Sequence, residues 1–319
     1  MSDIITSIKN DKIKEVIKLR DKARERRDAG LFITEGVRMF LEAPDELIRD
    51  IYVSESMAAK LQETSISSGR DSAHEEISYK DPAVKGSSSK GLSAKGLSAK
   101  GLSAKGLSAD NDHAKYYEAC CLELRKHGYT TVTDDVMKSM SDTQTPQGIL
   151  CVVKQPSCVI EDIMGNKKSH LLLILEGLQD PGNLGTIFRT SEAAGVTGII
   201  MSRDTVDIYN PKTIRSTMGS IYRVPFIYSE DLYTDLDKLR AHGISVYAAY
   251  LTGSVSYDKC DYRSDTAFLI GNEGNGLSDK ALSHSDTRVR IPMEGSVESL
   301  NAAVSAAVLM YEAHRQRSL

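Results

Sequence analysis

Arg189 is a cation in the middle of an apolar helical stretch, and three-residue spacing puts it on one flank with Asn183 and Thr186. A charge placed there must face water, a carboxylate or a phosphate. A guanidinium does not give up its proton in proteins, so an arginine makes a poor general base. It can stabilise a developing oxyanion, clamp a phosphate with two donors, or pair with an acid such as Glu192 or Glu273. Asn183, at a loop–helix junction, can cap the helix or orient a ligand. A second group of candidates is Gly271-Asn272-Glu273-Gly274 with Gly276-Leu277. Gly271, Gly274 and Gly276 allow the backbone to come close to a ligand. Glu273 is either solvated or placed to hold Arg189. A third group is Ser299-Leu300-Asn301, which opens the last helix. Ser299 stands as its N-cap, and Ala302 in place of an acid rules out a capping box.

The elements that position these residues are legible from hydrophobic runs and breakers. Leu171–Leu175 is an all-apolar run that ends in a loop holding Gly177, Asp180, Pro181, Gly182 and Asn183. A helix is expected from about Leu184 to Ala194, closed by Gly195, and a second apolar run starts at Gly198. Two buried parallel strands with a crossover helix account for this pattern, with the loop at the carboxyl end of the first strand. Phe268–Met293 reads as strand, Gly-rich loop, short helix and strand, and Glu298–Arg317 as a final helix. Gly177, Gly182 and Gly185 are wrongly spaced for G-x-G-x-x-G and are interrupted by Pro181, which argues against a nicotinamide dinucleotide. No His-rich or Cys-rich cluster points to a metal.

Three blocks in this order closely resemble the motifs of the SpoU (TrmH-type) RNA ribose methyltransferases of the SPOUT superfamily. Asn183, Gly185, Arg189 and Gly195 carry the first. Gly271–Gly274, Gly276-Leu277 and Ile291-Pro292 carry the second, and Ser299-Leu300-Asn301 with the helix behind them the third. The match spans about half the chain. It implies methyl transfer from S-adenosylmethionine to a ribose 2′-oxygen in RNA, on a knotted open parallel sheet of the SPOUT type that dimerises beside the knot. It further implies catalytic roles for Arg189, Glu273, Ser299, Asn301 and Asn183. Gly271, Ile291 and Leu300, with Gly274 and Gly276, would hold the cofactor, largely through backbone. Ribosomal RNA is the expected substrate. The alternatives are a tRNA ribose methyltransferase and a non-catalytic RNA-binding or ribosome-assembly factor that keeps the fold.

Composition constrains the partners. The 319 residues are 40% hydrophobic, enough for two cores. Forty basic against 44 acidic side chains give a net charge of −4, which hides a local cluster. Lys9–Arg27 holds nine basic and four acidic residues, with Ile13, Val16 and Ile17 as an apolar stripe. These charges decorate a docked helix, either as a solvated face or as phosphate contacts; Lys22, Arg24, Arg26 and Arg27 are the RNA-contact candidates. Five cysteines without a CxxC pair suit reduced cytosolic thiols. No apolar run approaches the ~20 residues of a membrane helix, and the first residues lack a signal-peptide core, so a cytoplasmic protein is expected.

Residues 1–155 read as a small α/β domain, with a strand at Leu31–Gly36 running into a helix through Val37–Ala43 and further strands at Ile51–Val53, Thr130–Thr133 and Gly148–Val153. A ribosomal-protein-like RNA-binding domain of this kind precedes the catalytic domain in many SpoU enzymes, and Thr34-Glu35-Gly36 and Thr145–Leu150 resemble it. Residues 80–112 interrupt the domain with repeats of Gly-Leu-Ser-Ala-Lys. A five-residue period fits neither helix nor strand, and a disordered surface insert is expected. Residues 156–169 read as a linker and 170–319 as the catalytic domain.

Overall fold

The computed structural model describes residues 4–71, 112–165 and 169–318. The Gly-Leu-Ser-Ala-Lys repeats lie outside the described residues.

The amino-terminal part is built on a four-stranded mixed sheet. Helices α1 (Asp11–Asp21) and α2 (Ala23–Ala29) lead into β1 (Leu31–Glu35) and α3 (Val37–Glu42). β2 (Ile48–Ser54), α4 (Glu55–Asp71), α5 (Asp112–His127), β3 (Thr130–Val132), α6 (Asp134–Met140) and β4 (Ile149–Lys154) complete it. The strand order is β1-β4-β2-β3, with β4 antiparallel to both neighbours. The docked face of α1 is Ile13, Val16 and Leu19, while Ile17 is only half-buried.

Residues 156–169, expected as a linker, carry a helix, α7 (Ile160–Met164), whose Ile160 and Ile163 are buried. Ile163 packs so closely on Gly198 that a Cβ there would collide with it. α7 is therefore fixed to the second sheet by apolar burial, which the Gly and Lys content of the span concealed.

The second sheet has seven strands: β5 (Leu171–Leu175), β6 (Gly198–Ser202), β7 (Phe226–Ser229), β8 (Ser245–Ala249), β9 (Val255–Ser256), β10 (Thr266–Ile270) and β11 (Thr287–Arg290). Every neighbouring pair is parallel, in the order β7-β6-β5-β10-β8-β11-β9. β5 and β6 are buried along their whole length, as all-apolar strands covered on both faces must be. Helices α8 (Pro181–Ala194), α9 (Pro211–Thr217) and α12 (Ala302–Arg317) belong to one face. α7, α10 (Leu232–Ala241) and α11 (Asp279–Ser283) belong to the other.

Three local expectations are corrected. α8 begins at Pro181, not Leu184, because Asp180 is the cap and its carboxylate accepts from the Asn183 N–H at 2.7 Å. α12 begins at Ala302 with Asn301, not Ser299, as its cap. The span Ile221–Tyr228, which reads in the sequence as one strand after the first strand–helix–strand unit, divides into a 3-10 turn at Ser220–Tyr222 and a short β7.

The two sheets share one apolar cluster that runs from Phe32 to Phe226. The Phe32 and Tyr209 rings lie 4.9 Å apart. Polar ties flank this contact. Arg26 bonds Asp207 at 2.6 Å, Arg215 bonds Asp142 at 2.7 Å, and Arg223 bonds Glu42 at 2.9 Å.

Candidate active site

Strand order reverses between β5 and β10, the place where open α/β sheets leave a crevice. A cavity of about 550 Å³ opens beside that point, over the carboxyl ends of β10, β8 and β11. The segments around Gly271, Gly274 and Gly276 form one wall. Ile291 and the Ser299-Leu300-Asn301 turn form another. Gly271 is required by close approach, because a Cβ there would run into the backbone of Gly276. The loop is pinched at its base by two backbone bonds between Asn272 and Gly276, each 3.0 Å.

Glu273 projects from this loop to the start of α8. Its carboxylate accepts the backbone N–H groups of Gln179 and Asp180 and the Asn183 amide, all at 3.0 Å. Partial burial pushes its carboxyl up, but the bonds from Asn183, Gln179 and Asp180 outweigh this and hold it below the usual carboxylate range. The amino-terminal end of α8 adds a favourable field for the negative charge. Glu273 thus holds the loop against the helix and does not hold Arg189.

Asn183 passes the connection on. A carboxylate only accepts, so the Asn183 amide nitrogen must face Glu273 and its oxygen must face outward. That oxygen accepts from the Asn301 side-chain amide at 2.9 Å. The Asn301 oxygen in turn accepts from the N–H groups of Ala303 and Val304 at the start of α12. One directed chain of bonds therefore joins all three candidate segments, and each amide has a single consistent orientation.

Arg189 lies two turns along α8 from this junction. It is exposed and has no ion-pair partner among the described residues. Both alternative acids are engaged elsewhere: Glu192 with Arg223 at 2.9 Å, Glu273 with the loop. α8 itself is held close to α9, because Gly185 leaves no room for a Cβ against Ser216.

The basic segment divides. Arg26, an RNA-contact candidate by sequence, is only 3% exposed. It donates to Asp207 and to the carbonyls of Leu19 and Arg20, so it is a structural tie, not a phosphate contact. Arg20 is also turned inward, onto the carbonyls of Ser139 and Ser141. Lys22, Arg24 and Arg27 remain exposed.

Sequence reasoning missed several groups at the cavity. Tyr250, Thr252, Met293 and Ser305 line it. No motif marks them. The usable signal was topological: Tyr250 and Thr252 follow a strand end on the same edge as the motif loops. Elsewhere, Asp45, Glu123 and His127 converge in space although 82 residues separate the first from the last. The Lys126 ammonium pairs with Asp45 there and supplies the counter-charge.

Residues 170–311 match the family model of the SpoU rRNA Methylase family, and residues 10–83 match that of an MRM3-like substrate binding domain. The chain is 35% identical over 180 residues to the 23S rRNA (guanosine(2553)-2′-O)-methyltransferase RlmP of Bacillus subtilis. The aligned region covers 56% of this chain and 70% of that enzyme. This chain belongs to the SpoU methylase family. Another SpoU relative, the 23S rRNA (uridine(2479)-2′-O)-methyltransferase of Streptomyces viridochromogenes, is 32% identical over 209 residues, 64% of this chain and 72% of that one. Among solved structures, the AdoMet-bound rRNA methyltransferase from Sinorhizobium meliloti superposes with a TM-score of 0.71 at 25% identity, covering 98% of this chain and 97% of that one. The likeness to that solved structure extends over nearly the whole chain, beyond the residues of the SpoU model.

Proposed function

We propose that the chain transfers a methyl group from S-adenosylmethionine to a ribose 2′-hydroxyl of ribosomal RNA. The observation that carries this is the bonded chain Glu273–Asn183–Asn301 beside a cavity, with Arg189, which has no ion-pair partner among the described residues, on the same helix as Asn183. The names of the SpoU relatives supply the reaction class and the ribosomal substrate.

The cavity fits the methyl donor by size and lining. Its volume falls within the roughly 300–1,000 Å³ of small-molecule sites. Gly271, Gly274 and Gly276 offer backbone, and Ile291, Leu300 and Leu309 offer apolar contact. S-adenosylmethionine, when bound, supplies a methyl group on a sulfonium, an already activated leaving centre. The chain then needs to orient the acceptor and exclude water. The Arg189 guanidinium serves as a charge donor, stabilising the developing alkoxide or gripping an adjacent phosphate. Glu273 is engaged by three N–H groups and fixes the geometry of the α8 start. Lys22, Arg24 and Arg27 add sequence-independent attraction for phosphate.

The proposal extends to a homodimer through α12. Val304 and Tyr311 are 47% and 48% exposed, with Ala307 and Val308 half-buried on the same flank. An apolar stripe at helical spacing suits a two-fold contact. Sedimentation analysis tests this, and a monomer at micromolar concentration would sink it. No helix among the described residues is long and apolar enough to cross a membrane.

The deciding experiment incubates the protein with methyl-labelled S-adenosylmethionine and ribosomal RNA and maps alkali-resistant ribose positions. Label at a 2′-oxygen supports the reading. Label on a base, or no transfer and no S-adenosylmethionine binding, overturns it.

A further inference from the structure

Two loops at the carboxyl edge of the sheet are laced to each other in both directions. Residues 176–180 follow β5, and residues 271–278 follow β10, its parallel neighbour. Glu273 reaches from the second loop to the N–H groups of Gln179 and Asp180 in the first. Glu176 reaches the other way. One oxygen of its carboxylate accepts the Ser278 N–H at 2.8 Å. The other accepts the Ser278 hydroxyl at 2.6 Å and the Tyr233 hydroxyl at 2.9 Å. Between these anchors the Asn272 amide donates to the Gly177 carbonyl at 2.7 Å.

Glu176 is only 9% exposed. A carboxylate so placed needs its partners, because an unpaired buried charge is strongly unfavourable. It does not line the cavity. Its position matters because of what Ser278 joins. The loop Asn272–Gly276 is closed on itself by its two backbone bonds, entered from β10 and left through Ser278, which also caps α11 by accepting from the Ala281 N–H. Glu176 fixes the exit of that unit, as β10 fixes its entry.

We propose that Glu176 is a positioning residue for the cofactor cleft, setting the Gly271–Gly276 backbone at the angle the methyl donor requires. This rests on the reading given under Proposed function. Without Glu176 the loop keeps its internal pinch, its tie to Gly177 and the bonds of Glu273, but its exit at Ser278 is left with the five-residue α11 and a long 3.4 Å contact to the Tyr233 hydroxyl. Removal therefore acts on ligand affinity more than on folding.

The test titrates S-adenosylmethionine by calorimetry, well below the melting temperature of each protein, beside thermal melts. The proteins are wild type, Glu176→Ala, Glu176→Gln and Tyr233→Phe. Glu176→Ala is expected to bind about tenfold more weakly, the effect of one lost charge-assisted bond. Glu176→Gln keeps the side-chain volume and one acceptor but loses the charge; it is expected to bind severalfold more weakly while melting close to wild type. Tyr233→Phe keeps both Ser278 bonds and is expected to bind as wild type. Wild-type affinity in both Glu176 variants, with only the melting temperature lowered, overturns the proposal. Absence of binding by the wild type overturns the methyl-donor reading and this proposal with it, and so is a distinguishable result. Should Glu176→Ala not fold, Glu176→Gln carries the comparison alone.

Discussion

Asn301 donates its side-chain amide to Asn183 at 2.9 Å, across 118 residues of sequence. The same Asn301 caps α12 through its oxygen. One side chain therefore starts a helix and ties it to another.

These two duties separate by mutation. Asn301→Asp keeps an acceptor for the Ala303 and Val304 N–H groups but loses the donor to Asn183. It is expected to melt near wild type and to lose methyl transfer. Asn301→Ala loses both, and the missing cap lowers stability by about 1 kcal/mol. Melting curves beside single-turnover methylation check this. Full activity in Asn301→Asp would remove the Asn183 bond from the mechanism.

Arg189→Ala is expected to lower methyl transfer about a hundredfold, as loss of one preorganised charge donor does. Arg189 is exposed and unpaired among the described residues, so melting temperature and S-adenosylmethionine affinity should not change. Arg189→Lys is expected to fail as well, because an ammonium lacks the planar two-donor fork. Near-normal turnover in either variant would exclude Arg189.

The basic segment gives two opposite outcomes. Replacing Lys22, Arg24 and Arg27 with Ala is expected to weaken binding to every RNA sequence and to flatten the salt dependence, by about one unit of slope per lost phosphate contact. Stability should be unaffected. Arg26→Ala strands Asp207 at a largely buried tie and is expected to destabilise the fold by roughly 3 kcal/mol. Denaturant titration beside RNA binding at several salt concentrations separates the two.

Glu273 predicts a pH dependence with a definite sign. Its carboxyl is held below the ordinary value near 4.3, mainly by bonds from Asn183, Gln179 and Asp180 working against partial burial. A depressed folded-state value means that its contribution is present above the unfolded value and is lost as pH falls through the folded one. Melting temperature should therefore drop below about pH 4.3 more steeply in wild type than in Glu273→Gln. Parallel curves would show that Glu273 contributes nothing through its charge.

What the sequence disclosed follows physical rules. Leu171–Leu175 and Phe268–Ile270 are unbroken apolar runs, so their burial as central parallel strands was legible. The close packing at Gly271 was legible from its place in a Gly-rich loop after a strand. The start of α8 was not, because Asp180 and Asn183 are both capping residues; Pro181, suited to the first helical turn, was the signal that favoured Asp180. Asn301 was hidden in the same way behind Ser299. The burial of Arg26 was illegible for a different reason. Its partner, Asp207, lies 181 residues away, and local charge counting cannot see such a pair. Nor did periodicity fix the buried face of α12, where Ala303 and Ala306 face inward but Val304 and Tyr311 do not.

The two sheets are joined by the Phe32–Tyr209 stack and by the Arg26, Arg215 and Arg223 ties. Among the described residues these contacts tie the two sheets along that seam, and the exposed cations of α2 belong to the same tied body as Arg189. The arrangement is that of a caliper with its opening set by these contacts. Under the proposed reaction, a body tied in this way is expected to leave adjustment to the nucleic acid, whose target ribose would be swung out or unstacked to reach the jaw. A gauge of this kind selects its nucleotide by reach and by the deformability of the surrounding RNA.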